Sequence, residues 1–194
     1  MMYAMFFLTE PSPQTVARFI ATQTELPFTY SAVGATRHNP PDKFTLDHNR
    51  IQLGRGETSY NRAVGALKAW RQFDIGWVSI VPEGTSVEVG SIVAAKARAF
   101  GWWSLNAARI VYVIDEDSET SRFGFAYGTL PDHVECGEER FMIEWNKEDD
   151  SVWYDILAFS RPQHWLVRMI FPLARVLQKR FARESLQRMR REVG

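Results

Sequence analysis

The chain has 194 residues, and its 23 basic and 23 acidic side chains cancel, so its total charge does not point to nucleic-acid binding. It is 45% apolar, with 13 Phe, 7 Trp and 6 Tyr, and its one cysteine, Cys136, excludes an intramolecular disulfide and a multi-cysteine metal centre. The opening residues lack a basic n-region and a small-residue cleavage site, and no apolar run approaches the roughly 20 residues of a bilayer span, so a soluble, cytoplasmic protein is expected.

In chain order, residues 1–8 are apolar enough for a short strand or a buried arm. Pro11, Ser12 and Pro13 supply a helix start, with Val16, Ala17, Phe19 and Ile20 as the apolar face. Residues 26–37 alternate loosely through Phe28, Tyr30 and Val33, which predicts a strand ending near Gly34. Asn39, Pro40, Pro41 and Asp42 form a loop that sets 1–41 apart as a short N-terminal α/β appendage on a 42–194 core, within a single domain. Residues 45–53 read as a strand. Gly54, Arg55 and Gly56 allow a reversal, and Glu57, Thr58 and Ser59 suit a helix start. That helix carries Tyr60, Ala63, Val64, Leu67, Trp70 and Phe73 on one face and ends at 74–76. Glycine amides at a helix start bind anions, but this run lacks the Lys-Ser/Thr of a P-loop and the spacing of a dinucleotide fingerprint.

Six more strands are expected at 77–81, 87–100, 106–115, 122–129, 138–146 and 152–160. Their short polar connections favour antiparallel neighbours, because parallel crossovers need a dozen residues or more. Within the third of these, Ile110, Tyr112 and Ile114 fall on one side and Val111 and Val113 on the other. A final helix is predicted over 162–193. Leu166, Met169, Ile170, Leu173, Val176, Leu177 and Phe181 recur at steps of three and four, followed more sparsely by Leu186, Met189 and Val193. Arg168, Arg175, Lys179, Arg183, Arg188, Arg190 and Arg191 make the opposite face cationic, and Pro172 predicts a kink. Residues 161–194 hold nine basic side chains against Glu184 and Glu192, so the remainder carries a matching excess of acid. A helix this long needs a partner for its stripe, and only the strands supply one. The fold expected is α+β, a curved antiparallel sheet gripping a long C-terminal helix.

The run from Arg122 to Phe141 (RFGFAYGTLPDHVECGEERF) resembles the signature of an uncharacterised family, domain of unknown function nineteen-ninety. YSAVGAT from Tyr30, LGRGE from Leu53, ALKAW from Ala66, RIVYV from Arg109 and AFSRP from Ala158 agree with it in the right order. The resemblance covers residue 28 to the end. It implies a START-like helix-grip fold with an apolar cavity between sheet and helix, and it brings no established activity.

Tyr127, Thr129, His133, Glu135, Cys136, Glu138, Glu139 and Arg140 form the densest polar cluster. Its spacing fits no zinc pattern, and Cys136 with His133 lacks a third orienting group, so a polar turn is the plainer account. Arg109 and Arg140 sit in apolar strands, where a charge must be paired or solvated; inward, each would hold a ligand anion or pair with Glu57, Glu138 or Asp155. Ser160, Arg161 and Pro162 suit a strand-to-helix corner, with Ser160 as the helix cap. The candidate ligand-binding residues are therefore Arg109, Tyr127, Thr129, Arg140, Trp70, Ser160 and Arg161, with Tyr127 and Glu138 as weak catalytic candidates and no metal or cofactor. The function expected is non-catalytic carriage of a small apolar or amphipathic molecule. The alternatives are an enzyme in the same cavity, using Tyr127, Glu138, Arg109 or Arg140, and an interaction module docking nucleic acid or anionic lipid through Arg183, Arg188, Arg190 and Arg191.

Overall fold

Alternating apolar runs from Thr45 onward pair into one antiparallel sheet, and two helices lie on one face of it. The computed structural model describes residues 6–38, 40–162 and 171–194. The strands are β1 (Phe6–Phe7), β2 (Thr45–Arg55), β3 (Val78–Val81), β4 (Ile92–Ala99), β5 (Trp102–Glu116), β6 (Thr120–Thr129), β7 (Glu135–Asn146) and β8 (Ser151–Pro162). They pair in the order β2-β8-β7-β6-β5-β4-β3, and β1 pairs with β5 beyond the reach of β6. The helices are α1 (Pro13–Gln23), α2 (Gly56–Lys68) and α3 (Phe171–Val193). Every neighbouring pair is antiparallel, as the short connections require.

The inner face of the sheet carries the largest core. Phe123, Phe125, Phe141, Ile143, Tyr154 and Ile156 meet Ala63 and Leu67 of α2 and Met189 and Val193 of α3. Complete burial of such side chains contributes about 1.5–3 kcal/mol each. Tyr154 keeps its hydroxyl satisfied by Ser185 at 3.1 Å, which fixes α3 over the sheet. The outer face carries α1 and the irregular segment after it. Val16 and Phe19 pack on Ala94, Leu105 and Ala107, while Tyr30 packs on Cys136 and Phe159. Ser12 caps α1 by accepting from the Thr15 amide at 3.2 Å, with Pro13 in the first turn.

Several expectations need correction. Residues 26–37 form no strand. The chain turns at Gly34, passes through one 3-10 turn at Ala35–Arg37, and spends its Gly34 and Thr36 amides on the Glu138 carboxylate. The helix expected to reach 73 stops at Lys68, because Trp70 adopts a left-handed φ of 58° before a 3-10 turn at Arg71–Phe73. Ile110 and Tyr112 do not share a face. A bulge between them shifts the phase, so Ile110 joins the inner core while Tyr112 and Ile114 pack with Ala126 and Met142 on the outer side. Ser160, Arg161 and Pro162 belong to β8, and the turn that Ser160 was expected to cap lies outside the described residues. In α3, Leu177, Phe181, Leu186, Met189 and Val193 follow the expected stripe, but Val176 is 60% exposed. Trp165, Leu166, Arg168, Met169 and Ile170 lie outside the described residues. So does the expected kink, since Pro172 is the second residue of α3.

Candidate functional site

A cavity of about 1260 Å³ separates the inner face from α3. Side-chain size explains where it lies. At the end of the sheet where α2 and the last turns of α3 close on it, the inner positions are Phe, Tyr and Ile. Toward the opposite end they become Ala95, Ala97, Ser104, Gly137, Ala158 and Ser160, and Ala174 and Ala182 face them from α3. Small residues on both sides of a gap leave room that large ones would fill. Phe73, Ile156, Leu177, Phe181 and Leu186 give the space its apolar wall. Its volume exceeds the roughly 300–1,000 Å³ of ordinary small-molecule pockets.

The polar groups are concentrated on one side. The Tyr127 hydroxyl donates to Glu139 Oε2 at 2.7 Å, and both line the cavity. Burial and the adjacent carboxylate hold the Tyr127 hydroxyl well above its ordinary pKa, so it stays a donor. Burial raises Glu139 to about 7, opposed by the Tyr127 hydrogen bond and reinforced by Glu135 and Asp47. Glu135 is raised as well, chiefly by burial, and accepts from the Gln178 amide of α3. Gln178 also donates to Ser160 Oγ at 3.1 Å, and Arg175 makes a two-pronged contact to Asp47, with one arm at 2.7 Å. These contacts tie the first turns of α3 to β2, β7 and β8. His133 accepts from the Glu135 amide through Nδ1 at 3.0 Å, and burial lowers its pKa to about 4, so it lines the cavity as a neutral ring.

Strand alternation divides the polar cluster seen in the sequence. Tyr127, Thr129, Glu135 and Glu139 reach the cavity side, where Thr129 Oγ1 also accepts from the Gly137 amide at 2.9 Å. Cys136, Glu138 and Arg140 point to the outer side. There Glu138 is 2% exposed and accepts from the Tyr30 hydroxyl and the Gly34 amide, both at 2.7 Å, from the Thr36 amide at 3.0 Å, and from the Thr36 hydroxyl. Its lone pairs are spent on the N-terminal segment. Arg140 donates to Thr36 O at 3.0 Å and to Asp155 Oδ1 at 2.8 Å, one of the pairings expected of it.

Arg109 donates to Gln23 O at 3.0 Å and Thr24 O at 2.7 Å, a cation satisfying the last carbonyls of α1. Trp70 is buried away from the cavity, with its indole N–H on Thr85 O at 2.8 Å and its ring edge-on to Phe125. Arg161 lies over the Phe44 ring at 4.8 Å. Of the residues singled out from sequence for a site, the cavity therefore gathers Tyr127, Thr129 and Ser160, while Arg109, Arg140, Trp70 and Arg161 serve packing elsewhere. Glu138 touches the cavity wall, with its carboxylate engaged on the far side. The partner that sequence reasoning passed over is Glu139. Period-two alternation from Tyr127 across the β6–β7 register was the available signal. Among the described residues, no three His, Cys, Asp or Glu side chains converge to hold a metal ion. Among the same residues, no helix is long and apolar enough to cross a membrane.

Comparison with known proteins agrees with this architecture. Residues 29–188 match the family model described as domain of unknown function (DUF1990). A UPF0548 protein of Dictyostelium discoideum is 36% identical over 208 residues, covering 98% of this chain and 96% of that protein. A UPF0548 protein of Deinococcus radiodurans is 34% identical over 203 residues, covering 98% and 100%. Among solved structures, the hypothetical protein jhp0584 of Helicobacter pylori superposes with a TM-score of 0.56 over 87% of this chain and 96% of its own. At 10% identity it shares the fold alone.

Proposed function

The chain belongs to the DUF1990 family, and we propose that it holds a small amphipathic molecule between its sheet and α3. One observation carries this reading: a cavity of about 1260 Å³ with apolar walls and a Tyr127–Glu139 pair on one side. An apolar tail would lie against Phe73, Ile156, Leu177 and Phe181, releasing water from both surfaces. The head would meet Glu139, Glu135 and the Tyr127 oxygen. A head that donates hydrogen bonds, such as an alcohol or an amine, suits these groups, and a carboxylate head would be repelled. The test is equilibrium binding of a neutral fluorescent apolar dye, followed by displacement with alcohols, amines and carboxylic acids of one chain length. Binding to the unmodified protein, abolished by Ala97→Trp or Ala158→Trp, supports the reading. Binding unchanged by both fillers refutes it.

A second reading rests on the carboxyl of Glu139, which is raised to about 7 and stands beside a tyrosine hydroxyl in an apolar space. A group poised near neutrality gives and takes protons equally well, which is what a general acid–base catalyst needs. This version uses Tyr127 with Glu139 and not the four residues expected from sequence, because the Arg109 and Arg140 side chains and the Glu138 carboxylate are engaged on the outer side. Glu139→Gln separates the two readings. A carrier keeps its ligand, whereas a catalyst keeps binding and loses turnover.

A further inference from the structure

Antiparallel register collects many ends at one pole of the molecule. Ala99 pairs with Trp102, Ala108 with Thr129, Glu135 with Pro162, and Thr45 with Ser160. The β4–β5 turn, the end of β6, the starts of β2 and β7 and the end of β8 therefore lie together. The first turns of α3 join them through Arg175 and Gln178. Six of the eight exposed large hydrophobic side chains among the described residues belong to this pole: Phe6, Leu8, Leu46, Phe100, Trp102 and Val176. The antiparallel β1–β5 register carries the chain beyond Phe7 toward Trp102, which brings Leu8 to the same edge.

The turn itself is unusual. Phe100 and Gly101 form a two-residue hairpin loop with φ values of 53° and 84°. Two central residues at positive φ make a turn that favours Asn, Asp or Gly at both places. A bulky aromatic there is strained by its Cβ, yet Phe100 is 65% exposed and recovers little burial. The local conformation works against Phe100, and the folded monomer gives nothing back. Trp102 beside it is 49% exposed.

Exposed cations border the same opening. Phe6, Phe100 and Trp102 line the cavity mouth from the sheet, and Lys179 and Arg183 line it from one face of α3. Among the described residues, no carboxylate pairs with Lys179, and Arg183 has only a long contact to Glu184 at 3.9 Å. The nearby acids are engaged, Glu10 by Lys96 and Asp47 by Arg175. Exposed aromatics on one side of the opening and exposed cations on the other match the interface of an anionic bilayer, where aromatic rings settle among headgroups and Lys and Arg meet lipid phosphates. A protein partner of the same size would bury its apolar surface against a matching apolar face. The solvent-exposed cations at the rim favour the lipid.

We propose that this pole is a docking surface for membranes containing anionic lipid, with the Phe100–Gly101 turn as the inserted tip. The inference stands whether or not the cavity holds a ligand. The experiment is co-flotation of the full chain with phosphatidylcholine vesicles and with vesicles containing about one third phosphatidylserine. The expected result is binding to the mixed vesicles that weakens as salt rises. The double variant Phe100→Asn, Trp102→Ser should lower partitioning at least about tenfold, while Phe100→Asn alone leaves thermal stability equal or higher because Asn suits the turn. Lys179→Glu with Arg183→Glu should also lower it about tenfold or more, whereas Arg190→Glu with Arg191→Glu, at the far end of α3, leaves it unchanged. Equal recovery with both vesicle types overturns the proposal. So does full binding by the tip variant, or a loss from the distal pair as large as from Lys179 and Arg183. A tip variant that instead changes the oligomeric state in light scattering, with no vesicle binding by the parent, assigns the pole to self-association and overturns it too.

Discussion

Glu138 and Glu139 are consecutive on β7 and point to opposite faces of the sheet, each accepting from a tyrosine hydroxyl at 2.7 Å. Glu138 takes Tyr30 from the N-terminal segment, and Glu139 takes Tyr127 from the neighbouring strand. Glu138 has every lone pair engaged by donors the fold supplies, so its role is to fasten residues 28–37 to the outer face. Glu139 has one oxygen engaged and borders a cavity, so its role is toward whatever enters there. Two identical side chains thus acquire different chemistry from a half-turn of pleat.

Glu138→Gln should destabilise the protein by about 1–3 kcal/mol. An amide presents one N–H2 in place of an oxygen. Whichever way it is turned, that group faces a backbone N–H, of Gly34 on one side or of Thr36 on the other. Hydroxyls can rotate to adapt, but backbone donors cannot. Chemical denaturation measures the loss, and proteolysis should cleave residues 24–44 earlier in the variant than in the parent. A variant as stable and as resistant as the parent would show that Glu138 fastens nothing.

Gly128→Ala should release the same segment by a different route. A Cβ at Gly128 would stand 2.2 Å from the Tyr30 hydroxyl oxygen and 2.9 Å from the Phe28 ring. Gly128 pairs with Glu138 in the β6–β7 register, so the missing side chain is what lets Tyr30 reach its carboxylate. Overpacking of this kind costs about 1–3 kcal/mol. Combined with Glu138→Gln, the loss should fall short of the sum, because both changes break one contact. Full additivity in denaturation midpoints would show that they act separately.

The architecture was legible in the sequence because its signals are local and repeat. Alternation gave the strands, steps of three and four gave α3, and polar turns gave the antiparallel order. The family signature around Arg122 to Phe141 pointed to the same fold. The site was harder to read because facing depends on phase, and one irregularity reverses it. The bulge after Ile110 moved Tyr112 to the outer side without changing the composition of the strand. Arg109 and Arg140 stood out as charges in apolar strands, and pairing was indeed what they needed. Their partners were carbonyls at the end of α1 and a carboxylate on β8, which no spacing in the chain announces. Glu139 was overlooked because in a run of Glu-Glu-Arg only register tells which residue faces in.

Asp47 and Arg175 should govern how firmly the cavity end of α3 is held. Their two-pronged contact joins the start of α3 to β2, and both are largely shielded from solvent. Removing one partner leaves the other poorly solvated, so Asp47→Asn and Arg175→Met should each raise amide exchange across the first turns of α3. Exchange in the last turns, where Met189 and Val193 are buried, should hold. Uniform acceleration along the whole helix would mean that α3 detaches as one unit.

The pH dependence of stability should contain two opposed slopes that single variants separate. Glu139 sits at about 7 in the folded chain against an ordinary value of 4.5. A raised acid keeps its proton longer when folded, so its contribution is full below about 4.5 and falls away as pH rises to 7. His133 does the reverse. Its folded value of about 4 lies below the ordinary 6.5, so its contribution is full above 6.5 and is lost as pH falls toward 4. The windows overlap, and the parent's melting temperature should therefore vary little between them. Glu139→Gln, which keeps an acceptor for Tyr127, should equal the parent at low pH and exceed it increasingly up to pH 7, leaving the His133 slope exposed. His133→Asn, which keeps an acceptor for the Glu135 amide, should expose the opposite slope. Melting curves across this range read both. An apolar ligand that displaces water from around Glu139 should push its titration still higher, so saturating ligand should shift the upper limb of the His133→Asn profile upward in pH. An upper limb that stays in place under ligand would put the occupant away from Glu139, and with it the polar half of the proposed site.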